Sequence, residues 1–435
     1  MEEQGLKKDV ILDNSSDGID RRGFLKCMAW AGTGLVWTMG AGIPASSVFG
    51  LAKDKKGATS DFTFVQISDS HIGFDKPANT DVSATLQAAI DKINKLEKKP
   101  EFILHTGDLT HLSKPGEFDT LDQMLKSTGV PILYVPGEHD VIDNGQQFLE
   151  RYGKDPSGNK KKGAGWYSFD HKGVHFIGLV NVVNLKPGGM GSLGHEQLEW
   201  IEDDLKGKSK STPLVVFAHV PLWAVYPQWG WGTEDSAQAL GYMKKFGSVT
   251  VLNGHIHQIM QKVEGDTSFY TAMSTAFPQP APGTAPSPGP MKVPAEKLRD
   301  VLGIRDVNYV VSGHHLAVAD STLSGSPAEV HNAQAGSPSG SSEPSSAASG
   351  GGGQADVKID NFSFNPTPVT VKPGTTVTWM NGDDIPHNVE SSQKKFSSPV
   401  LDTNQKFTFT FKDAGEYPYF CKLHPKMTGK IVVRG

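Results

Sequence analysis

Two groups of residues in this chain of 435 carry donor atoms in patterns suited to metal chemistry. The first comprises Asp69-Ser70-His71, Gly107-Asp108, Gly137-Glu138-His139-Asp140, His219 and Gly254-His255-Ile256-His257. Carboxylate oxygen with imidazole nitrogen suits manganese, iron or zinc, and a shared carboxylate can hold two such ions about 3.5–4 Å apart. A lone histidine usually has a structural explanation; this many donors, each at the end of an apolar run, exceed what a structural site needs. The second group is His387, in Ile385-Pro386-His387-Asn388-Val389, followed by Cys421, His424 and Met427 on one short loop. One thiolate, two imidazoles and a thioether are the donors of a trigonal copper site with a long axial bond to sulfur. Such a site passes single electrons and has no open position for a substrate.

The segments that must position these donors alternate in character. Phe62–Ser68, Glu101–His105, Pro131–Val135, Pro213–Ala218 and Val249–Leu252 read as buried strands, and Val82–Leu96, Pro115–Lys126 and Gly194–Leu205 have helical period. Tyr167–Phe169 with Val174–Val180, Gln261–Glu264 with Ser268–Met273, and Val307–Val311 with His315–Ala319 read as hairpins. The pattern predicts an α/β sandwich with its donors at strand ends, where open α/β sheets build sites. Pro278–Pro294 is a long proline-rich loop. In Ser321–Ala355, 26 of 35 residues are Ser, Gly, Ala or Pro. That composition cannot bury a core and reads as a flexible tether with a mean span of roughly 30 Å. Beyond it, Val369–Val371, Thr375–Met380, Lys406–Phe411, Gly415–Phe420 and Lys430–Val433 predict a separate, small all-β sandwich.

The order D-x-H, G-D, G-x-H-D, H, G-H-x-H resembles the calcineurin-like metallophosphoesterase family. The resemblance implies that Asp69, His71 and His257 hold one metal ion, that Glu138, His219 and His255 hold a second, and that Asp108 bridges them. It makes His139 an outer-sphere acid with Asp140 orienting its ring, and implies hydrolysis of a phosphodiester or phosphomonoester by a hydroxide between two ions of iron, manganese or zinc. Glu138 departs from the family's usual Asn. Its extra charge is expected to keep the metal but lessen Lewis acidity. The alternative is therefore a copper-binding electron-transfer protein whose phosphoesterase domain is weakly active or a scaffold. His111 is a candidate substrate contact. Trp223, Tyr226, Trp229 and Trp231 either stack on a flat leaving group or pack a lid or the second domain. His105 reads as a core histidine, His195 as a cap or surface residue, and His314 and His315 as structural residues of a late strand in preference to a pocket edge.

The short Cys-x₂-His-x₂-Met loop and the Pro-His-Asn-Val segment resemble the cupredoxins, the amicyanin type most closely. This resemblance implies one copper ion on His387, Cys421, His424 and Met427 and a redox partner protein; from the residues themselves, Pro386 and Pro425 stiffen both approaches and Asn388 is placed to bond a neighbouring loop.

Composition narrows the rest. With 42 Lys and Arg against 47 Asp and Glu, the net charge of −5 gives no footprint for nucleic acid. Two cysteines exclude a disulfide framework and any Cys₄ site. Arg21-Arg22-Gly23-Phe24-Leu25-Lys26 and the Gly/Ala-rich run behind it resemble a twin-arginine export signal, cleaved between Ala45 and Ala52. The competing reading is a membrane anchor, because Cys27–Phe49 is long enough to span. No later segment approaches that length, so no stable span is expected after signal removal. The expected organisation is an export signal (1–52), a metallophosphoesterase domain (58–320), a tether (321–355) and a cupredoxin domain (356–435), in the periplasm or outside the cell. Cys421 is then the sole thiol of the exported chain, and copper ligation explains how it stands alone.

Overall fold

The structure, a computed structural model, describes residues 34–40, 43–49, 60–285, 288–311, 315–326, 328, 330–332, 354–360, 363–383, 386–424 and 427–434. Arg21, Arg22, Cys27, His314, Pro425 and most of the expected tether lie outside these residues.

Apolar runs covered on both faces set the architecture of the first part. In Phe62–Ile67, Phe62 and Phe64 face a cluster containing Phe176, Val215, Phe217 and Val307, while Val65 and Ile67 face another containing Leu86, Ile90 and Phe118. Strands buried on both sides read as unbroken apolar stretches for this reason. One sheet runs in the order Gly34–Gly40, Ile43–Phe49, His315–Thr322, Gly303–Val310, Phe62–Ile67, Ile103–His105, Ile132–Tyr134. The other runs Val330–Asn332, Ile259–Glu264, Thr267–Thr271, Val249–Asn253, Leu214–Ala218, Val174–Gly178, Tyr167–His171. Phe64 and Phe176 meet edge to face at 5.6 Å between the sheets.

Helices cover both outer faces. Val82–Asn94 starts where the Asp81 carboxylate accepts from the Ala84 N–H at 2.9 Å, and it buries Val82, Leu86, Ala89, Ile90 and Ile93 along one stripe. Pro115–Leu125 and Gln146–Tyr152 pack on the same sheet, and His195–Asp204 and Ser236–Met243 pack on the other. Among the described residues no helix is long and apolar enough to cross a membrane.

Two expectations change here. Part of the segment read as leader forms a hairpin, Gly34–Gly40 with Ile43–Phe49, on the sheet edge beside Val318. The tether is shorter than its composition suggests. His315–Thr322 runs into it, Val330–Asn332 pairs in parallel with Ile259–Gln261, and Gln354–Asp360 already belongs to the next sheet. Backbone pairing to an existing sheet edge needs no apolar side chains, so composition could not reveal it.

The C-terminal part is a sandwich of two four-stranded sheets, Ser363–Asn365, Gln354–Asp360, Thr375–Asn381, Lys406–Phe411 against Val369–Val371, Thr428–Val433, Gly415–Phe420, Glu390–Ser391. Trp379 lies at its centre, edge-on to Tyr419 at 5.4 Å.

Candidate metal centres

The five motifs of the first part converge at the strand ends. Asp69, His71 and His257 form one group, and Glu138, His219 and His255 a second, each with donor atoms within 4.8 Å of one another. Asp108 lies between them: its Oδ2 is 3.3 Å from His219 Nε2 and 3.5 Å from His71 Nε2. Glu138 turns one oxygen to each imidazole of its group, Oε1 2.9 Å from His255 Nδ1 and Oε2 3.0 Å from His219 Nε2.

The chain makes this possible by sharp turns. Asp69, His71, Asp108, His255 and His257 all have positive φ, between 41° and 71°. Non-glycine residues rarely adopt that conformation, and its concentration at one site is typical of functional centres. A Cβ on Gly107 would collide with the His219 ring, and one on Gly137 with the Asp108 carboxylate. These contacts give the glycines of the G-D and G-E-H-D motifs their physical reason.

Hydrogen bonds aim the donors. His219 Nδ1 donates to the Thr106 carbonyl at 2.7 Å and His257 Nδ1 to the Phe277 carbonyl at 2.6 Å, leaving each Nε2 for a metal. His219 Nε2, Glu138 Oε2 and His255 Nδ1 are buried, and their close contacts of 2.9 and 3.0 Å are not aligned as hydrogen bonds. Burial and the neighbouring Glu138 push Asp108 well above the usual carboxylate range. Glu138 is held well below it, against burial, by His255 and His219. His219 is raised, also against burial, by Asp108 and Glu138, and burial beside His139 lowers His71. Three buried carboxylates pointing at one space are the electrostatics of a cation site, and this donor set fits two ions of the manganese, iron or zinc kind.

Several expected contacts fall elsewhere. The Asp140 carboxylate accepts from the N–H groups of Leu109, Thr110 and Gly137 and from the Thr110 hydroxyl, so it braces the Asp108 turn rather than the His139 ring. His139 is oriented instead by the His111 carbonyl, which accepts from its Nδ1 at 2.7 Å. Burial, with His111 alongside, pushes His139 down to about 3. His111 does not face a free phosphate position: its Nε2 lies 3.1 Å from Asp402 of the C-terminal part.

Trp223, Trp229 and Trp231 are buried in the core cluster beneath the second sheet. Trp223 packs on Phe269 at 5.2 Å, and Tyr226 meets Trp229 at 5.1 Å. They pack the fold rather than a leaving group, because the loop folds back under the sheet. His105 is buried, with Nε2 2.8 Å from Ser70 Oγ; His195 is exposed beside Glu199. A cavity of about 730 Å³ opens beside His257, lined by Gln258, Met273, Gln279, Met291 and Lys297 among others. Only the proline-rich loop hinted at it.

The second constellation is equally compact. His387 Nδ1, His424 Nδ1 and Cys421 Sγ stand 3.1, 3.5 and 3.7 Å apart in pairs, the spacing of three donors around one ion. The loop is pinned by Cys421 N–H to the Met427 carbonyl at 3.0 Å and Met427 N–H to the His424 carbonyl at 2.8 Å. Met427 is buried in the same cluster as Cys421. Asn388 ties the two loops together: its side-chain oxygen accepts from the Lys422 N–H at 2.6 Å, and its own N–H points at Cys421 Sγ at 3.4 Å. Asp383, which no motif in the chain marks, adds a further contact. Its Oδ2 lies 2.8 Å from His387 Nε2, turning Nδ1 toward the thiol. Burial opposes charge on His387, yet Asp383 and Cys421 raise it to about 9.

The family model for calcineurin-like phosphoesterases matches residues 62–259, and that for cupredoxin-like domains matches 341–433. An amicyanin from Methylorubrum extorquens is 38% identical over 86 residues, 19% of this chain and 72% of its own. A probable glycerophosphodiester phosphodiesterase from Arcobacter nitrofigilis is 27% identical over 48% of this chain and 77% of its own. A probable cyclic nucleotide phosphodiesterase from a Synechococcus species is 27% identical over 53% and 88%. The chain thus belongs to the cupredoxin family through its amicyanin-like C-terminal domain, and ahead of that domain it carries a calcineurin-like phosphoesterase domain.

Proposed function

We propose that this is an exported phosphoric ester hydrolase with two metal ions in its α/β sandwich and a tethered copper domain for single-electron transfer. The observation that carries the hydrolytic reading is Asp108 Oδ2, within 3.5 Å of both His71 Nε2 and His219 Nε2, where one carboxylate can serve two ions. Asp69, His71 and His257 would hold one ion, Glu138, His219 and His255 the other. When bound, such ions supply Lewis acidity and an activated water.

The chain's own residues do the rest. Buried turns fix the donors, Asp140 locks the Asp108–Thr110 turn, and His139, its Nδ1–H held by the His111 carbonyl and its ring kept neutral by burial, would serve the leaving oxygen only after its Nε2 takes up a proton. The cavity beside His257 offers room for the second ester arm, which favours a phosphodiester. Similarity to two probable phosphodiesterases supports the same class. His387, Cys421, His424 and Met427 would hold copper. Export rests on the arginine pair Arg21-Arg22 alone, because part of the run behind it pairs with the domain's sheet.

The test uses the full chain, loaded with manganese, iron or zinc and offered a chromogenic phosphodiester and a phosphomonoester. Hydrolysis of either is expected, with Asp108→Ala lowering it at least a thousandfold while the copper absorption persists. Metal-loaded protein that hydrolyses neither ester would overturn the reading.

A further inference from the structure

The copper domain is not free on its tether. Asp402 Oδ1 lies 2.8 Å from Lys76 Nζ and 3.1 Å from His111 Nε2, and Lys76 Nζ also donates to the Thr403 carbonyl at 3.2 Å. Lys76 and His111 belong to the phosphoesterase domain, and His111 is only 1% exposed, so the contact reaches into that domain rather than across its rim.

Both ends of this contact lead to a candidate metal centre. Asp402 directly follows Leu401, which exchanges two backbone hydrogen bonds with His387, at 2.6 and 3.0 Å. On the other side the His111 carbonyl accepts from His139 Nδ1 at 2.7 Å, and the His111 ring meets the His71 ring at 5.8 Å between centroids. The route His387, Leu401, Asp402, His111, His71 is therefore continuous through backbone, hydrogen bonds and ring contact. His424 is half-buried rather than exposed.

We infer that the electron-transfer partner of the copper domain is the two-metal centre of its own chain, docked through Asp402 on Lys76 and His111. This rests on the two-metal reading above. The exchange is one electron: copper gains it as a one-electron metal of the pair, iron or manganese, loses it, or the reverse. No bond of the chain forms or breaks, and zinc in the pair cannot take part. Asp402 is a positioning residue, since it acts through Lys76 and His111.

The experiment takes the full chain with ferrous iron in the pair and cuprous copper. A flash-generated one-electron oxidant converts the copper, and loss of the resulting thiolate-to-copper absorption reports its re-reduction. Recovery is expected at a rate independent of protein concentration. It should be at least tenfold slower in Asp402→Lys and in Lys76→Glu, partly restored when both substitutions are combined, and absent in zinc-filled protein. Recovery that scales with protein concentration, that is unchanged in Asp402→Lys, or that equals that of zinc-filled protein would overturn the inference. Metal content and phosphodiester hydrolysis of the same samples separate the two readings. A wrong docking partner leaves both intact, whereas failure of the two-metal reading removes both.

Discussion

Glu138 sets the charge balance of the proposed two-metal centre. Its two oxygens face His255 and His219, so it fits as a metal donor and brings a negative charge where the family usually has a neutral amide. Glu138→Asn is expected to loosen metal retention about tenfold and to raise turnover several-fold; metal stoichiometry after dialysis and kcat on a chromogenic diester check both. Asp383 plays the matching part at copper, because it fixes the His387 ring. Asp383→Asn should cost roughly 10–100-fold in copper affinity, measured by chelator competition. The same pair governs pH behaviour of copper-free protein. His387 is raised to about 9, above its unfolded value near 6.5, so its stabilising charge is fully present below 6.5 and lost as pH rises through 9. A melting temperature that falls by roughly several degrees across that window, and ceases to do so on copper loading, is the expected outcome.

Elements decide which aromatic residues meet substrate. The loop after His219 is predicted equally well as a stacking platform or as packing from its residues alone. Its return beneath the second sheet puts Trp223, Trp229 and Trp231 against Ile201, Leu222 and Met243 instead. Trp231→Ala should therefore destabilise the fold by about 3–5 kcal/mol, read by denaturant unfolding, and leave KM for a phosphodiester unchanged. The strand ends, by contrast, are legible from the chain. Apolar runs stop at Ser68, Thr106 and Asn253, and each is followed within a few residues by a donor in a left-handed turn. Strand period and glycine placement are local properties, so sequence carries them. The partner of a histidine's second nitrogen is not local: Thr106 for His219 lies more than a hundred positions away.

At the scale of the molecule, docking through Asp402 follows the charge of one carboxylate. Burial works against its ionisation, but His111 and Lys76 hold it well below the usual range. A depressed value means that the contribution is present above the unfolded value near 3.9 and lost as pH falls through the docked one. Small-angle scattering should show a compact particle from neutral pH down to about 4, expanding only in stronger acid, while Asp402→Lys expands it at neutral pH. The sequence alone determined the donor sets, the two fold classes and the existence of a low-complexity joint, because each depends on residue type and short-range spacing. Tertiary structure alone decided that Asp140 braces a turn, that Asp383 orients His387, that the tryptophans are core, and that Asp402 meets Lys76 and His111. Those contacts join residues far apart in the chain, and no local period or composition encodes which distant surface a side chain will reach.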